Sequence, residues 1–559
     1  MKRACFALAL ISISALVRGA DTPLPQFVDI APQAGVAFRH TNGASVDKHL
    51  VETMGSGGLF FDYDGDGWID IFIVDGGSRA DAAVARRARH RLYRNSGGGT
   101  FVDVTERSGI RHREYGMGAC AGDIDGDGHP DLYITNDGPN VLYRNRGDGT
   151  FVDVTAAARV GEPRWSASCA LADLDRDGDL DLWVVNYVNA DRVHSPFCGE
   201  ARAGVRFYCH PLRYEPLPNT VYRNDGDGVF TDVSTASGVG TLRANGLGVV
   251  ITDYDNDGLP DVLVANDTMP NFLFRNTGSL RFVETGLASG IAVGADGKAR
   301  AGMGIDTGDY DGDGRLDLVI TNLDFEMHTV HRGLERGLFA YTTIESGIGY
   351  PTLPFVGFGV AFLDFDNDTQ LDIAIANGHI LDNAPQYRPG STYAQRKLLF
   401  RNGTMHRFAE VGRMAGPAFA ATRVGRGLAT GDIDNDGDLD LLVTNNGQAA
   451  ELLRNDGGNR ANALSVRLRG TGGNTDAIGA RVRVTSGSRT QLGDIKAGTS
   501  YLSQNDLRAH FGLGAVTIAE RVEVLWPSGR TESVANVPAN QIIDIEEGKG
   551  VIARRPFTR

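Results

Sequence analysis

The chain has 559 residues, 42% of them apolar, and a formal charge of −15. That length exceeds one ordinary core and that apolar content excludes a disordered chain, so several domains, or one large repeat architecture with an added module, are expected. Seventy-three glycines without a collagen period imply many tight turns, as in all-β repeats.

The N-terminus reads as a signal peptide over residues 1–20. Lys2 and Arg3 form a basic start, Ala4 to Val17 an apolar stretch, and Gly19 and Ala20 a small-residue end before Asp21. No cysteine follows at once, so no lipoprotein anchor is expected; an uncleaved N-terminal anchor is the alternative. No later stretch reaches the ~18 apolar residues of a membrane span, so none is expected in the mature chain. The reading is a secreted or extracytoplasmic protein, in the periplasm or at the cell surface if bacterial. Losing Lys2, Arg3 and Arg18 takes the charge from −15 to −18.

FVDIAPQAGV at Phe27–Val36 comes next and has the form of half a hairpin. After it one nine-residue pattern, D-x-D-x-D-G-x-x-D, recurs seven times, at starts 50 to 80 residues apart. Its acids are Asp62, Asp64, Asp66, Asp70; Asp123, Asp125, Asp127, Asp131; Asp173, Asp175, Asp177, Asp181; and Asp253, Asp255, Asp257, Asp261. Three further copies supply Asp309, Asp311, Asp313, Asp317; Asp364, Asp366, Asp368, Asp372; and Asp432, Asp434, Asp436, Asp440. Six copies are preceded by Gly-x-Gly, as at Gly116/Gly118, and the third by Ser166/Ser168. Six are followed by Asn136, Asn186, Asn266, Asn322, Asn377 or Asn445, and the first by Asp75. The residues between are apolar and β-prone and read as buried strands. A second hairpin of the form LYRN-x-G-x-G-x-F-x-D-V-T links successive units, as from Leu92 and Leu142. The last unit ends on half of it, LLRNDGG at Leu452–Gly458. The N-terminal strand should therefore pair near Leu452 and close a ring, which covers edge strands. The expectation is a seven-bladed β-propeller over 27–458.

Alternating carboxylates in a tight loop are what Ca²⁺ requires, with the sixth-position glycine turning the chain. Flanking strands and a closing Asp at position 9 exclude an EF-hand. Up to seven structural Ca²⁺ ions are expected, and they account for most of the acidity: the loops hold 28 of 70 acids. No nucleic-acid partner is implied. The sixth loop, with Thr369 in place of glycine, should be distorted or weaker.

Three segments, Asn186–Thr220, Leu323–Leu338 and Gly378–Lys397, read as insertions on the face opposite the aspartate loops, the expected surface for a protein or glycan ligand. Cys198 and Cys209 fall in the first, and a disulfide is the favoured reading over a Cys/His metal site. Cys120 and Cys169 stand three and four residues before their first aspartates; that unequal parity predicts free, buried thiols. No G-x-S-x-G, H-E-x-x-H or P-loop occurs. His328, His331 and His379 could serve an active site on the insertion face, or simply be solvated. Residues 462–548 alternate apolar and polar positions (ALSVRLRG, ARVRVTS, RVEVLWP) and predict a small β-sandwich-like domain, with 549–559 as a tail. WPSG reads as a turn with a core tryptophan.

The aspartate loops with upstream glycines resemble the FG-GAP repeats of integrin α-subunit propellers. With the LYRN hairpins, the chain looks like the proteins related to cartilage acidic protein. GGNTDAIGARVRV, GTSYLSQND, HFGLG and WPSGR match the signature of ASPIC/UnbV domains. The resemblance implies a calcium-binding propeller and little about activity. Three functions stay open: a binding or adhesion-type scaffold, favoured since catalytic motifs are absent; an exported enzyme acting on a glycan, peptide or small molecule; and a module of an envelope assembly docked by its C-terminal domain. Paired titratable groups in a funnel would mark the enzyme.

Overall fold

The computed structural model describes residues 23–558 apart from 112, 192, 193, 201, 203, 227 and 387–389. The signal-peptide reading of residues 1–20 lies outside the described residues.

The repeats fold as seven four-stranded antiparallel sheets. Their innermost strands are Gly58–Phe61, Tyr115–Gly122, Ser166–Ala172, Gly246–Thr252, Ile305–Gly308, Gly357–Leu363 and Gly425–Gly431, and the sheets are numbered blades 1 to 7 in that order. Each innermost strand touches that of the next blade, and blade 7 returns to blade 1, so the sheets close into a propeller. The closure is the expected one: Gln26–Asp29 is the outer strand of blade 7 and pairs with Glu451–Asp456, Asp29 opposite Leu453.

Every residue of the seven inner strands is buried. Apolar side chains alternate between the two faces of each blade and fill the spaces between blades, as Leu59, Phe61, Ala119 and Ala121 do between blades 1 and 2. Each large aliphatic side chain so buried contributes about 1.5–3 kcal/mol. The Gly-x-Gly pairs sit where inner strands crowd the axis. A Cβ on Gly118 would lie 2.9 Å from Leu502 O, and one on Gly248 2.8 Å from Ser500 O; glycine is required there by the close approach of a second backbone.

That second backbone comes from the C-terminal region. Residues from Asn462 onward form two four-stranded sheets, and side chains of both share one core, with Val466 and Ile543 from one sheet and Val484 and Val524 from the other. The same core runs on into blades 2 and 3 through Ile124, Leu171 and Leu180. The loop 497–506 leaves this layer and enters the propeller axis. It pairs with inner strands of three blades, Leu59 with Gln504, Leu171 with Ala497 and Ile305 with Ser500. Tyr501 is completely buried among Met54, Leu247, Met303 and Phe358.

Three expectations are corrected. The 549–559 tail is instead a strand, Gly550–Pro556, paired with Gln541–Glu546; beyond it Phe557 is buried and the Thr558 N–H donates to Asn435 O at 2.8 Å. Leu323–Leu338 is no simple insertion, since it contains the third strand of blade 5, Thr329–Gly333, whose VHRG departs from the LYRN pattern. Cys120 and Cys169 are bridged, with Cα atoms 5.8 Å apart. Opposite faces do not mean separation here. The two strands belong to neighbouring blades, and facing sheets meet through opposite faces, so unequal parity is what brings the two sulfurs together.

Candidate metal centres and the opposite face

Each aspartate loop is drawn tight by its own backbone. In loop 2 the Asp127 and Gly128 N–H groups donate to the two oxygens of Asp123 at 3.1 and 2.7 Å, and loops 3 to 7 repeat the pair. This needs a left-handed residue at position 6, and the six glycines there have φ between 83° and 101°. Thr369 takes the same conformation, φ 83°, and its N–H still donates to Asp364 at 2.8 Å. The expected distortion is therefore absent; the strain sits in the threonine backbone. Thr369→Gly is expected to stabilise the protein by about 1 kcal/mol and raise Tm by about 1 °C, since unfolding entropy grows with chain length. An unchanged or lowered Tm in calorimetry would show the strain to be relieved elsewhere.

Potential ligand oxygens converge in these loops. Those of Asp62, Asp64 and Asp66 lie within 4.8 Å of one another, as do those of Asp123, Asp125 and Asp127. In loops 3, 4 and 5 the first, third and ninth acids converge, as Asp173, Asp175 and Asp181 do. In loops 6 and 7 the acids Asp364, Asp366, Asp368 and Asp372, and Asp432, Asp434, Asp436 and Asp440, lie close enough to raise one another's pKa. The third-position acids Asp64, Asp125, Asp175, Asp366 and Asp434 each keep a buried Oδ1 with no hydrogen-bond donor. Asp62 adds its Oδ1 to that set. Buried carboxylate oxygens without donors are costly, and a hard cation is the group that would satisfy them all.

The ninth acid has a second task. Its Oδ1 accepts a backbone N–H from the third strand at 2.7 to 2.9 Å in all seven blades. In six its Oδ2 accepts the N–H of loop position 2. Burial raises Asp70 and Asp261 to about 9 and Asp131 to about 8, against the backbone donors; Asp181, Asp317, Asp372 and Asp440 shift the same way.

Sequence reasoning missed the asparagine of LYRN. Asn145 Nδ2 donates to Tyr63 O of the preceding blade at 2.8 Å, and Asn95, Asn224, Asn276, Asn402 and Asn455 do the same across their own interfaces. Six of seven interfaces are thus stapled beside the aspartate loops; in blade 5 Gly333 replaces the asparagine. The recurrence of RN in the sequence was the available signal.

The C-terminal layer reads the same loops. Arg467 pairs with Asp62 at 3.1 Å. Arg481 and Arg508 donate to the backbone oxygens of Asp253 and Asp432 at 2.8 and 2.9 Å. His510 Nε2 meets Asn367 Oδ1 at 2.7 Å, and Asp476 accepts the Asp123 N–H at 2.9 Å. Trp526 is buried, as a core residue.

On the opposite face the loops surround a cavity of about 270 Å³ at the head of the axis. The disulfide between Cys198 and Cys209 is present, with Cα atoms 5.3 Å apart, and it fixes the hairpin whose Tyr208, Cys209 and His210 form one wall. Asp267, Asp324, Glu326 and His379 form others. The Tyr187 O–H donates to Asp267 at 2.6 Å, and burial lifts Asp267 to about 7. His379 Nε2 lies 3.6 Å from Asp324 Oδ2. None of the three named histidines is solvated. His328 and His331 are buried within blade 5 and desolvation lowers both to about 4, so only His379 reaches the cavity.

Comparison with known proteins agrees with the repeats. A family model described as FG-GAP-like repeat matches residues 62–134, 123–184, 213–264 and 253–320, and one described as ASPIC and UnbV matches 470–552. Cartilage acidic protein 1 of Mus musculus is 29% identical over 319 residues, covering 56% of this chain and 47% of the relative. The Homo sapiens protein of that name is 28% identical over 319 residues, with 56% and 46% covered. The chain thus spans about half the length of the curated relatives it matches. Among solved structures, YCF48 bound to D1 peptide aligns with a TM-score of 0.38 and 10% identity, covering 75% of this chain and 96% of that one. An Agrocybe aegerita lectin that recognises non-reducing terminal N-acetylglucosamine aligns at 0.36 and 15%, covering 72% of this chain and 92% of that one.

Proposed function

We propose that this chain, which carries FG-GAP-like repeats and an ASPIC and UnbV domain, is a secreted calcium-binding scaffold that offers the insertion face of its propeller to a partner. The observation behind the calcium reading is the set of buried, donor-free carboxylate oxygens in the aspartate loops. Ca²⁺ would be held by the first, third and fifth acids, with the ninth sharing an oxygen already braced by backbone. Bound, the ion supplies positive charge where carboxylates crowd. The chain's own residues do the rest: the backbone N–H groups orient the first aspartate, and the asparagine staples fix each loop against the next blade. Two disulfides and the likeness to cartilage acidic protein 1 support an extracellular setting. Among the described residues no helix is long and apolar enough to cross a membrane.

Equilibrium dialysis of the metal-stripped mature chain against labelled calcium tests this. About seven ions per chain are expected, and about one fewer with Asp123→Asn and Asp125→Asn combined. Uptake below one ion per chain would end the reading.

A second reading, an exported enzyme, is favoured by one observation. The insertion-face cavity holds two close titratable pairs, Tyr187 with Asp267 and His379 with Asp324.

A further inference from the structure

We propose that an arginine patch on blade 1, at the insertion face, binds a linear anionic polysaccharide through its sulfate or carboxylate groups. This rests on the scaffold reading and names the partner class for that face.

The charge of this chain is unevenly spread. Residues 79–114 hold nine arginines, no lysine and four acids, a formal +5. The rest of the chain, with 46 basic and 66 acidic residues, carries −20. The fold gathers the basic stretch on one side. The strands of blade 1, Gly58–Phe61, Asp70–Ile73, Arg91–Asn95 and Phe101–Asp103, pair antiparallel in that order. The aspartate loop joins the first two at one end. Residues 74–90, which join the second to the third, and 104–114, which lead on to blade 2, therefore both emerge at the other end, the insertion face. A side-chain bond ties the two segments together there: Arg113 Nη1 donates to the Arg86 carbonyl at 3.2 Å.

The local acids are largely spent. Glu106 pairs with Arg89 and Asp103 with Arg91, and the Asp81 carboxylate caps the short helix Ala82–Ala85 by accepting the Ala83 N–H at 2.7 Å. Only Glu114 is left beside four exposed arginines, Arg86, Arg87, Arg111 and Arg113. Among the described residues none of these four pairs with an acid, although the chain as a whole is rich in acids. A cluster of exposed, like-charged groups without counter-ions attracts a polyanion and repels the rest of this protein's own surface type. The residue type narrows the partner further. A guanidinium is always charged, and its planar fork matches an oxyanion with two parallel hydrogen bonds. The aromatic residues of the stretch, Tyr93 and Phe101, are buried, so it offers no exposed ring on which nucleic-acid bases could stack. In an extracellular setting, a chain of regularly spaced oxyanions without bases is an acidic polysaccharide.

The experiment is fluorescence polarisation of the full mature chain, in calcium, with three labelled probes. A heparin decasaccharide carries sulfates and carboxylates, an oligogalacturonate carries carboxylates alone, and a single-stranded DNA is matched to the heparin in charge. At least one of the two saccharides is expected to bind with a Kd of about 10 μM or tighter at about 50 mM NaCl. That affinity should fall at least about tenfold by about 200 mM, as four released counter-ions require. Arg86→Ser with Arg113→Ser should weaken saccharide binding at least about tenfold and flatten its salt dependence. Arg87→Ser with Arg111→Ser, which breaks no bond between the two segments, should do the same at unchanged Tm. Arg521→Ser on the C-terminal layer, 58% exposed, should change nothing. Three results would each overturn the proposal: no saccharide binding by a chain with normal melting, equal or tighter binding of the DNA, or both double variants binding like the parent. Calcium stoichiometry is measured separately and is indifferent to these outcomes, so failure here is distinguishable from failure of the scaffold reading.

Discussion

Chelating calcium is expected to lower the Tm of the mature chain by roughly 20 °C or more near pH 8, and by far less near pH 5. The pH dependence follows from the buried acids. Asp70 and Asp261 titrate at about 9, Asp131 and Asp432 at about 8, chiefly because burial penalises their charge. A carboxyl whose folded pKa lies above its unfolded value near 4 binds protons preferentially in the folded state. In the metal-free chain the penalty is absent below about pH 4 and grows as pH rises toward the folded values. A divalent ion supplies the charge that protons supply in acid, so its stabilising effect increases over the same interval. The measurement is paired melting curves with calcium and with chelator across that range, on protein whose metal content has been determined. Curves that coincide at every pH for demonstrably metal-free protein would refute the structural role of the ions. A calcium effect larger in acid would refute the electrostatic account of it.

Removing the axial loop is the second large effect. Tyr501 is fully buried, donates its O–H to Met54 O at 3.0 Å and packs edge-on against Phe358 at 4.9 Å. Tyr501→Ala is expected to cost about 3–5 kcal/mol, as for other large buried aromatics. Truncation after residue 461 should do more. Gln504 exchanges hydrogen bonds with Ala121 of blade 2, Ser500 with Ile305 of blade 5 and, through its hydroxyl, Val360 of blade 6. Without the loop these inner-strand groups and the apolar surface of blades 2 and 3 would face water. The expected outcome is a propeller that binds a hydrophobic dye, is cut rapidly by protease, and melts well below the full chain. A truncated chain with the parent Tm and no dye binding would mean that the ring is self-sufficient and the C-terminal layer merely rests on it.

Much of this architecture was open to a reader of the sequence because it is local. An aspartate loop, its Gly-x-Gly approach and its closing asparagine lie within about twenty residues, and short-range geometry dictates what such a run can form. Seven copies in register then fix the number of blades, and half-hairpins at both ends of the repeat fix the closure of Gln26–Asp29 on Glu451–Asp456. The disulfide of Cys198 and Cys209 was legible for the same reason, both residues falling in one insertion. The strand hidden at Thr329–Gly333 was missed where the local pattern itself lapses.

What the sequence could not show is contact between segments far apart in the chain. The Cys120–Cys169 bridge depends on which faces of two blades meet, a relation set by packing the ring and not by either strand. GTSYLSQND has an alternation and a family signature but nothing that says it will thread an axis lined by residues more than 130 positions away, such as Ile305 and Val360. The cavity beneath the insertions arises in the same way, its acids supplied by separate blades. Local composition determines which strands and loops exist, since backbone preferences and turn chemistry act over a few residues. Which side chains face one another across a closed ring is decided only when burial of the whole apolar surface selects one arrangement.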